Sequence, residues 1–148
     1  MNPITLRLPY PVSSNRYWRS FVPKGSPRAI VTRSPEANAF INHVAWLAKA
    51  AGCRPTDKPI ALDITLIGPE FIIYNLPGKA GTKRKAGPPM DLSNCLKVAE
   101  DALQGIAYTN DRQVKSISMR YAEPEGDGAL LVRISEFIPQ PVGLFAEV

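Results

Sequence analysis

Apolar and polar residues alternate along several segments of the chain. Ile4–Leu8 and Ile60–Ile67 carry an apolar side chain at every second position, which is the period of a strand that buries one face. Three further strands are predicted at residues 29–32, 114–122 and 129–137, and a turn at residues 123–128 joins the last two. Phe71–Tyr74 either extends the strand at Ile60–Ile67 or forms a short strand in a loop.

Two other segments have helical spacing. Ser34, Pro35 and Glu36 are typical of an N-cap, a first helical position and a first turn, and apolar residues then recur every three or four positions as far as Gly52. These features predict a helix over residues 34–51. A second helix is predicted over residues 91–106, ending near Gly105. Residues 12–28 and 75–90 show neither period and are interpreted as irregular basic loops.

The resulting order of elements, β-β-α-β-α-β-β, predicts an α+β fold. Two helices would cover one face of a mixed or antiparallel sheet. A length of 148 residues fits one domain, and a hydrophobic content of 45% is enough to build a core. We therefore predict a single domain over residues 1–138 and a peripheral C-terminal tail over residues 139–148.

The composition argues against several classes of protein. No apolar run approaches the length of a membrane span, and the first residues lack the basic and apolar regions of a secretory signal, so we expect a cytoplasmic protein without a membrane partner. Cys53 and Cys95 form no CxxC pair, which favours two reduced thiols. His43 is the only histidine and lies in a predicted helix, where a packed or half-exposed side chain is expected rather than a catalytic one.

The net charge of +5 is unevenly distributed. Residues 1–35 and 71–90 contain ten of the 18 basic residues and no acidic residue, so the remainder of the chain is acidic overall. Basic segments without acids are typical of proteins that bind a polyanion. Tyr17 and Trp18 lie between Arg16 and Arg19, a pattern that suits stacking on bases and pairing with phosphates. For these aromatic residues, and for Phe21, burial in the core is an equally good interpretation.

These segments give a set of candidate nucleic-acid contacts. The candidates in the first segment are Asn15, Arg16, Tyr17, Trp18, Arg19, Lys24 and Arg28, and those in the second are Lys79, Lys83, Arg84 and Lys85. The second segment is rich in Gly and Pro, so we expect it to be mobile and exposed. It lacks the GxxxxGK[ST] spacing of a phosphate-binding loop for nucleotides.

The predicted helix over residues 91–106 separates apolar from polar residues. At 100° per residue, Asn94, Lys97 and Asp101 fall on the side opposite the apolar stripe. Simpler interpretations exist for the charged residues, since Asp91 suits an N-cap and Lys97 with Asp101 suits a surface ion pair. A short turn after the helix, however, brings Asp111 and Gln113 to the start of the next strand, close to the helix.

This segment resembles the RusA family of Holliday junction resolvases. Family members carry a run close to Asp-x-Asp-Asn-x-x-Lys-x-x-x-Asp-Ala-Leu, a turn containing Gly, and a strand start of the type Asp-Asp-x-Gln-Val. The matching residues are Asp91, Ser93, Asn94, Lys97, Asp101, Ala102, Leu103, Gly105, Asn110, Asp111, Gln113 and Val114. Residues 8–19 similarly resemble the family's opening, Leu-Pro-x-Pro-x-Ser-x-Asn-x-x-Tyr/Trp-Arg. The resemblance covers about residues 4–137.

The resemblance implies a site in which carboxylates hold Mg²⁺, or Mn²⁺, at the scissile phosphate. Asp91 and Asp111 would be the primary ligands, and Asp101 a further ligand or the partner of one. Lys97 would neutralise charge on the phosphate as a point charge. Asn94, Asn110 and Gln113 would support the site.

Two positions depart from the family pattern. Ser93 stands where the family has its second Asp, and Asn110 stands where it has the first of its later Asp pair. Both side chains can still offer a neutral oxygen ligand, so Ser93 remains a candidate metal ligand. A weaker metal site, a different metal preference and a protein that binds without cleaving all follow as alternatives.

The resemblance predicts a Mg²⁺-dependent, structure-selective endodeoxyribonuclease that resolves four-way DNA junctions in recombination and repair. It also implies a homodimer, which would present two equivalent sites to the junction, and a bacterial or phage-infected cell as the setting. The first alternative is a catalytically weak or silent dimer that binds branched DNA. The others are a nuclease for other branched or flapped DNA and an RNA-binding α+β module.

Overall fold

The computed structural model describes residues 2–74, 78 and 80–142. Its helices are α1 (Ser14–Tyr17), α2 (Pro35–Ala50) and α3 (Leu92–Leu103), and a 3-10 turn follows at Asp111–Gln113. Its strands are β1 (Ile4–Leu8), β2 (Trp18–Phe21), β3 (Ile30–Arg33), β4 (Ile60–Ile67), β5 (Phe71–Tyr74), β6 (Thr82–Lys85), β7 (Val114–Ala122) and β8 (Ala129–Glu136). The predicted α+β class is confirmed.

The central sheet has four strands in the order β1-β8-β4-β7. β4 pairs antiparallel with β8 and parallel with β7, so the sheet is mixed. The alternation in β4 puts Leu62, Ile64 and Leu66 in the core, where each is almost fully buried. Buried residues of α2 and α3 belong to the same core cluster, which places both helices on this face of the sheet.

The last two strands occur where they were predicted, but they are not neighbours. β4 lies between them, so the turn at residues 123–128 crosses the end of β4. Glu125 N donates to Gly68 O and Glu70 N donates to Gly126 O, which fixes this crossing. A Cβ on Gly128 would lie 2.8 Å from the Ile67 carbonyl oxygen, and the φ of +81° also favours glycine there.

Two segments predicted as irregular loops contain regular structure. Residues 12–28 include α1 and β2, and β2 pairs antiparallel with β3. In the second basic segment, Thr82–Lys85 is a strand that pairs antiparallel with β5, so the expectation of a wholly irregular loop is wrong there. Lys83 Nζ lies 4.0 Å from the centre of the Phe71 ring, a cation–π contact between the two paired strands.

The helix boundaries differ slightly from the prediction. α2 begins after Ser34, whose hydroxyl accepts from Ala37 N at 3.1 Å as an N-cap should. α3 ends at Leu103, earlier than predicted, because the chain reverses at Gly105 with a φ of +82°. The residues that α3 buries are Cys95, Val98, Ala99, Ala102 and Leu103.

The two thiols are not joined in a disulfide, and the histidine is exposed. Cys53 and Cys95 are free, and burial raises the pKa of the Cys95 thiol to about 11, which keeps it protonated near neutral pH. His43 is exposed on α2, more fully than predicted. The proposed tail is described only as far as residue 142, and its residues 139–142 are exposed.

Candidate active site

The start of α3 is held by two tyrosines. Met90 N donates to the Tyr10 hydroxyl at 3.0 Å, and the Tyr121 hydroxyl donates to Met90 O at 3.1 Å. Asp91 follows as the N-cap residue, yet its side chain makes no capping hydrogen bond with the described residues. The backbone just before Asp91 is therefore anchored, while the exposed Asp91 carboxylate does not cap the helix.

A small cleft lies at the other end of α3. It has a volume of about 180 Å³ and is lined by Lys97, Glu100, Asp101, Gln104 and Asp111, and we call it the acidic cleft. Lys97, Glu100 and Asp101 of α3 and its C-cap residue Gln104 are spaced at i, i+3, i+4 and i+7, so they lie on one face of the helix. The structure thus brings Lys97, Asp101 and Asp111 together, as the sequence suggested, and adds Glu100.

Asp111 reaches the acidic cleft because its turn is tied down on both sides. Asn110 Oδ1 accepts from Arg112 N at 2.9 Å, and Gln113 Oε1 accepts from Asn110 N at 2.7 Å. Gln113 Nε2 donates to the carbonyl oxygens of Thr56 and Lys58 at 2.6 and 2.9 Å. Asn110 and Gln113 therefore form a capping box that fixes the 3-10 turn to the chain before β4.

Asp101 also has two partners that do not line the acidic cleft. The Tyr17 hydroxyl donates a hydrogen bond to Asp101 Oδ2, and Arg33 Nη1 lies 3.9 Å from the same oxygen. Tyr17 is held in turn, since Ser34 N donates to Tyr17 O at 2.8 Å and the Ser34 hydroxyl donates to Arg16 O at 2.6 Å. The N-terminal motif therefore supports a carboxylate on α3.

The acidic cleft disfavours negative charge on Glu100 and Asp101, as their raised pKa values indicate. Burial raises the pKa of Glu100, and the nearby charge of Asp111 raises it further. Burial also raises the pKa of Asp101. The pKa of the buried Tyr108, whose hydroxyl donates to Glu100 O, is raised by burial and then by the charges of Glu100, Asp111 and Asp101. A bound cation would relieve this repulsion.

The donor chemistry of the acidic cleft suits a hard divalent cation, because its carboxylates offer oxygen ligands. No group of three His, Cys, Asp or Glu residues within the described ranges is close enough to form a ready ligand set. Asp91 does not line the acidic cleft. Ten residues separate Asp91 from Asp101, which at ~1.5 Å per residue puts them roughly 15 Å apart along the helix.

The two sequence motifs and the site they form agree with a comparison against known families. The family model for endodeoxyribonuclease RusA matches residues 9–135, which is most of the chain. The chain belongs to the RusA endodeoxyribonuclease family. RusA proteins hydrolyse DNA, and membership implies the nuclease activity of a Holliday junction resolvase, with roles in recombination and repair. No curated protein matches the chain significantly.

The positions predicted to contact DNA in this RusA-family chain divide into buried and exposed residues. Tyr17 is only 3% exposed, so for Tyr17 the core interpretation is the correct one. Trp18 is 57% exposed on β2, and Phe21 is also exposed. The other described candidates are exposed as well: Asn15, Arg16, Arg19, Lys24, Arg28, Lys83, Arg84 and Lys85. Lys79 lies outside the described residues.

The remaining candidates lie along α3. Ser93 is exposed in its first turn and Asn94 is half-buried, and neither lines the acidic cleft.

Among the described helices, none is long and apolar enough to cross a membrane.

Sequence reasoning missed several residues of the RusA-type site. Glu100 and Gln104 could have been found, because they share the helical face of Lys97 and Asp101. Tyr10, Arg33 and Tyr121 act through contacts between segments far apart in the chain, which no local pattern reveals.

Proposed function

We propose that this protein is a divalent-metal-dependent endodeoxyribonuclease that cuts four-way DNA junctions, with Mg²⁺ as the cofactor and Mn²⁺ as a substitute. The observation that carries the proposal is the acidic cleft, where Lys97, Asp101 and Asp111 meet from two segments of a RusA-family chain. Carboxylates beside a lysine provide cation ligands and a positive charge for a phosphate at one location.

The residues of the acidic cleft have separate roles in this proposal. Asp101 and Asp111 would hold the cation. The charge of Asp111 contributes to the raised pKa of Glu100, which supports a third carboxyl group close to the cation. The cation supplies charge neutralisation at the phosphate and favours deprotonation of the attacking water. Lys97 is exposed at the rim and binds a non-bridging phosphate oxygen. Tyr17 and the capping box of Asn110 and Gln113 keep the two carboxylates in position.

Asp91 would contribute to the site only in the homodimer. One chain separates Asp91 from the acidic cleft by most of the length of α3, at roughly 1.5 Å per residue. In a two-fold dimer each contact occurs twice with the chains exchanged, so two α3 helices running antiparallel would put each Asp91 beside the partner's cleft. Ser93, exposed in the first turn of α3, would arrive with it. We propose that Asp91 completes the site in this way.

The basic surface would hold the junction arms. Lys24 and Arg28 follow β2, and Lys83, Arg84 and Lys85 lie on β6, so these cations are carried by two separate antiparallel hairpins. Phosphate contacts of this kind position a substrate without reading its sequence. The resemblance to a junction resolvase therefore explains why basic charge is concentrated in two segments.

A second candidate function is a dimer that binds branched DNA without cutting it. It is favoured by Ser93 and Asn110, which replace acids of the family pattern, and by the use of the Asn110 amide oxygen in the capping box. Incubating the protein with a mobile four-way junction and Mg²⁺ or Mn²⁺ separates the two functions. Cleavage supports the nuclease, whereas tight binding without cleavage in either metal supports the silent binder.

A further inference from the structure

A second pocket lies beside the acidic cleft, on the other side of Lys97 and Asp101. It has a volume of about 220 Å³ and is lined by Tyr17, Trp18, Lys97, Val98 and Asp101, and we call it the aromatic pocket. Lys97 and Asp101 line both cavities, so a group in the aromatic pocket is next to whatever the acidic cleft holds. The phosphate and the cation of the proposed function leave the aromatic pocket without a ligand.

The indole of Trp18 is exposed and held in place. Its ring lies edge-on to the buried ring of Tyr17, with centroids 5.0 Å apart and an angle of 73° between the planes. The Trp18 backbone pairs with Arg33 in the β2–β3 hairpin, and directly opposed residues of an antiparallel pair share a face. Trp18 is therefore a large, supported aromatic surface that water covers in the free chain.

The aromatic pocket combines an apolar surface with both types of polar group. Val98 and the two aromatic rings supply the apolar walls, while Lys97 donates and Asp101 accepts hydrogen bonds. Arg33, 3.9 Å from Asp101, adds positive charge at the edge. A volume of about 220 Å³ is below the roughly 300–1,000 Å³ of sites for drug-sized ligands. These features suit one planar heterocycle with polar edges and an attached phosphate.

We propose that the aromatic pocket takes one unstacked nucleobase of the branched DNA, which stacks on Trp18 while the adjoining phosphate lies at the acidic cleft. The inference rests on the proposed function and adds a source of selectivity. Bases at a branch point are unstacked at lower cost than bases within a duplex, so a pocket that needs a free base favours junctions. Lys97 and Asp101 line both cavities, so they would lie between that base and the phosphate and cation of the acidic cleft.

The chain offers a direct probe, because it has two tryptophans. Trp46 is 68% exposed on α2 and lines neither cavity, so Trp46→Phe leaves Trp18 as the only indole. We expect the emission of Trp18 to be quenched on binding a four-way junction or a single-stranded oligonucleotide, and to change little with a blunt duplex of equal length. The reciprocal variant Trp18→Phe reports Trp46 alone and should show no quenching with any of these DNAs.

A binding measurement completes the test. Trp18→Ala should weaken junction binding by roughly 5- to 150-fold, the range expected for loss of one base–aromatic stack, and should weaken duplex binding much less. Trp18→Phe should recover part of the loss, because phenylalanine still stacks. Circular dichroism and thermal melting show whether Trp18→Ala is folded. If Trp18→Ala is unfolded, the junction and duplex affinities of Trp18→Phe are compared with those of the wild type instead.

Three outcomes overturn the proposal. In the first, Trp46→Phe protein binds the junction and the single strand with unchanged Trp18 emission. In the second, Trp18 emission without DNA shifts to the blue as protein concentration rises, which means that a second copy of the chain covers the indole. In the third, junctions and duplexes lose affinity equally in Trp18→Ala. Failure of the wild-type protein to bind junctions would instead contradict the proposed function, and the single-strand titration would still decide whether the aromatic pocket binds a base.

Discussion

The Tyr17 hydroxyl donates a hydrogen bond to the Asp101 carboxylate, joining residues that are 84 positions apart in the chain. Tyr17 is buried and Asp101 is exposed at the wall of the acidic cleft, so the contact connects the core to the site. The N-terminal motif therefore contributes to the position of a carboxylate on α3 as well as to the basic surface. This relationship gives the N-terminal motif a role that its sequence alone did not indicate.

Removing the Tyr17 hydroxyl should impair cleavage and leave DNA binding intact. Tyr17→Phe keeps the buried ring but leaves Asp101 with the distant Arg33 as its partner, so we expect cleavage to fall by about tenfold, as loss of a hydrogen bond to a charged group worth ~1.5 kcal/mol would give. Single-turnover cleavage and gel-shift affinity measure the two effects. A matched control is Thr109→Val, which removes a hydroxyl that donates to the Asp57 carboxylate outside the acidic cleft and leaves Asp101 untouched. Unchanged cleavage in Tyr17→Phe would show that this hydrogen bond does not position Asp101 for the reaction.

The acidic cleft should make the protein less stable as pH rises without a divalent cation. The folded-state pKa of Glu100 is raised above its ordinary value of 4.5, so the folded state holds its proton to a higher pH than the unfolded chain does. The contribution of Glu100 to the free energy of unfolding is therefore greatest below its ordinary pKa of 4.5. It is lost as the pH rises through the raised pKa of the folded state.

Thermal melting of a variant, and of the wild type with Mg²⁺, tests whether Glu100 causes the loss of stability. Glu100→Gln should reduce the fall in melting temperature across that pH range, and Mg²⁺ should reduce it in the wild type by binding the folded state. Thermal melts from pH 4 to 7 with and without Mg²⁺ provide the comparison. An equal fall in wild type and Glu100→Gln would assign the pH dependence to other groups.

Mixed dimers should reveal whether Asp91 acts across the two-fold axis. Asp91→Asn and Asp111→Asn should each abolish cleavage on their own. A heterodimer of the two variants, purified with two different tags, would have one site with both changes and one with neither, so it should recover the ability to nick a junction. If Asp91 and Asp111 of a site came from the same chain, each site of the heterodimer would carry one of the two changes, and no activity would return.

Periodicity predicted the part of the fold that the core determines. α2, β4, β7 and β8 were predicted nearly correctly, because burial against the sheet imposes a regular apolar spacing on each. β6 was missed because Thr82–Lys85 has no apolar residue, and its strand conformation depends on pairing with β5. The position of β4 between β7 and β8 was also not visible in the sequence, since a connection of a few residues between strands usually indicates a hairpin.

The site was predictable in part for similar reasons. Helical geometry places Lys97 and Asp101 on one face, and a short connection after the helix keeps Asp111 near it. The contacts of Tyr17 with Asp101 and of Gln113 with Thr56 join segments that only the folded chain brings together. The distance between Asp91 and the acidic cleft could have been calculated from the length of the helix. The family motif specifies residue types at these positions and does not by itself give the distance between their side chains.

The basic β6 strand should contribute to the salt dependence of junction binding. Replacing Lys83, Arg84 and Lys85 with alanine removes up to three phosphate contacts, so the slope of log K against log salt should become shallower by as much as about 2.7. Changing Lys49, Arg54 and Arg133, three exposed basic residues outside both basic segments, to alanine provides a control for net charge. Equal slopes for wild type and the β6 variant would remove this strand from the DNA interface.

The most direct test of the account is cleavage of a labelled four-way junction by the wild type, by Asp111→Asn and by Glu123→Gln, an exposed acid in the crossing turn outside the acidic cleft. The account predicts that the wild type and Glu123→Gln cut two opposed strands when Mg²⁺ or Mn²⁺ is present. Asp111→Asn should bind the junction with similar affinity and leave it intact. Cleavage by Asp111→Asn at the wild-type rate, or binding without cleavage by the wild type in both metals, would contradict the assignment of the acidic cleft as a catalytic centre.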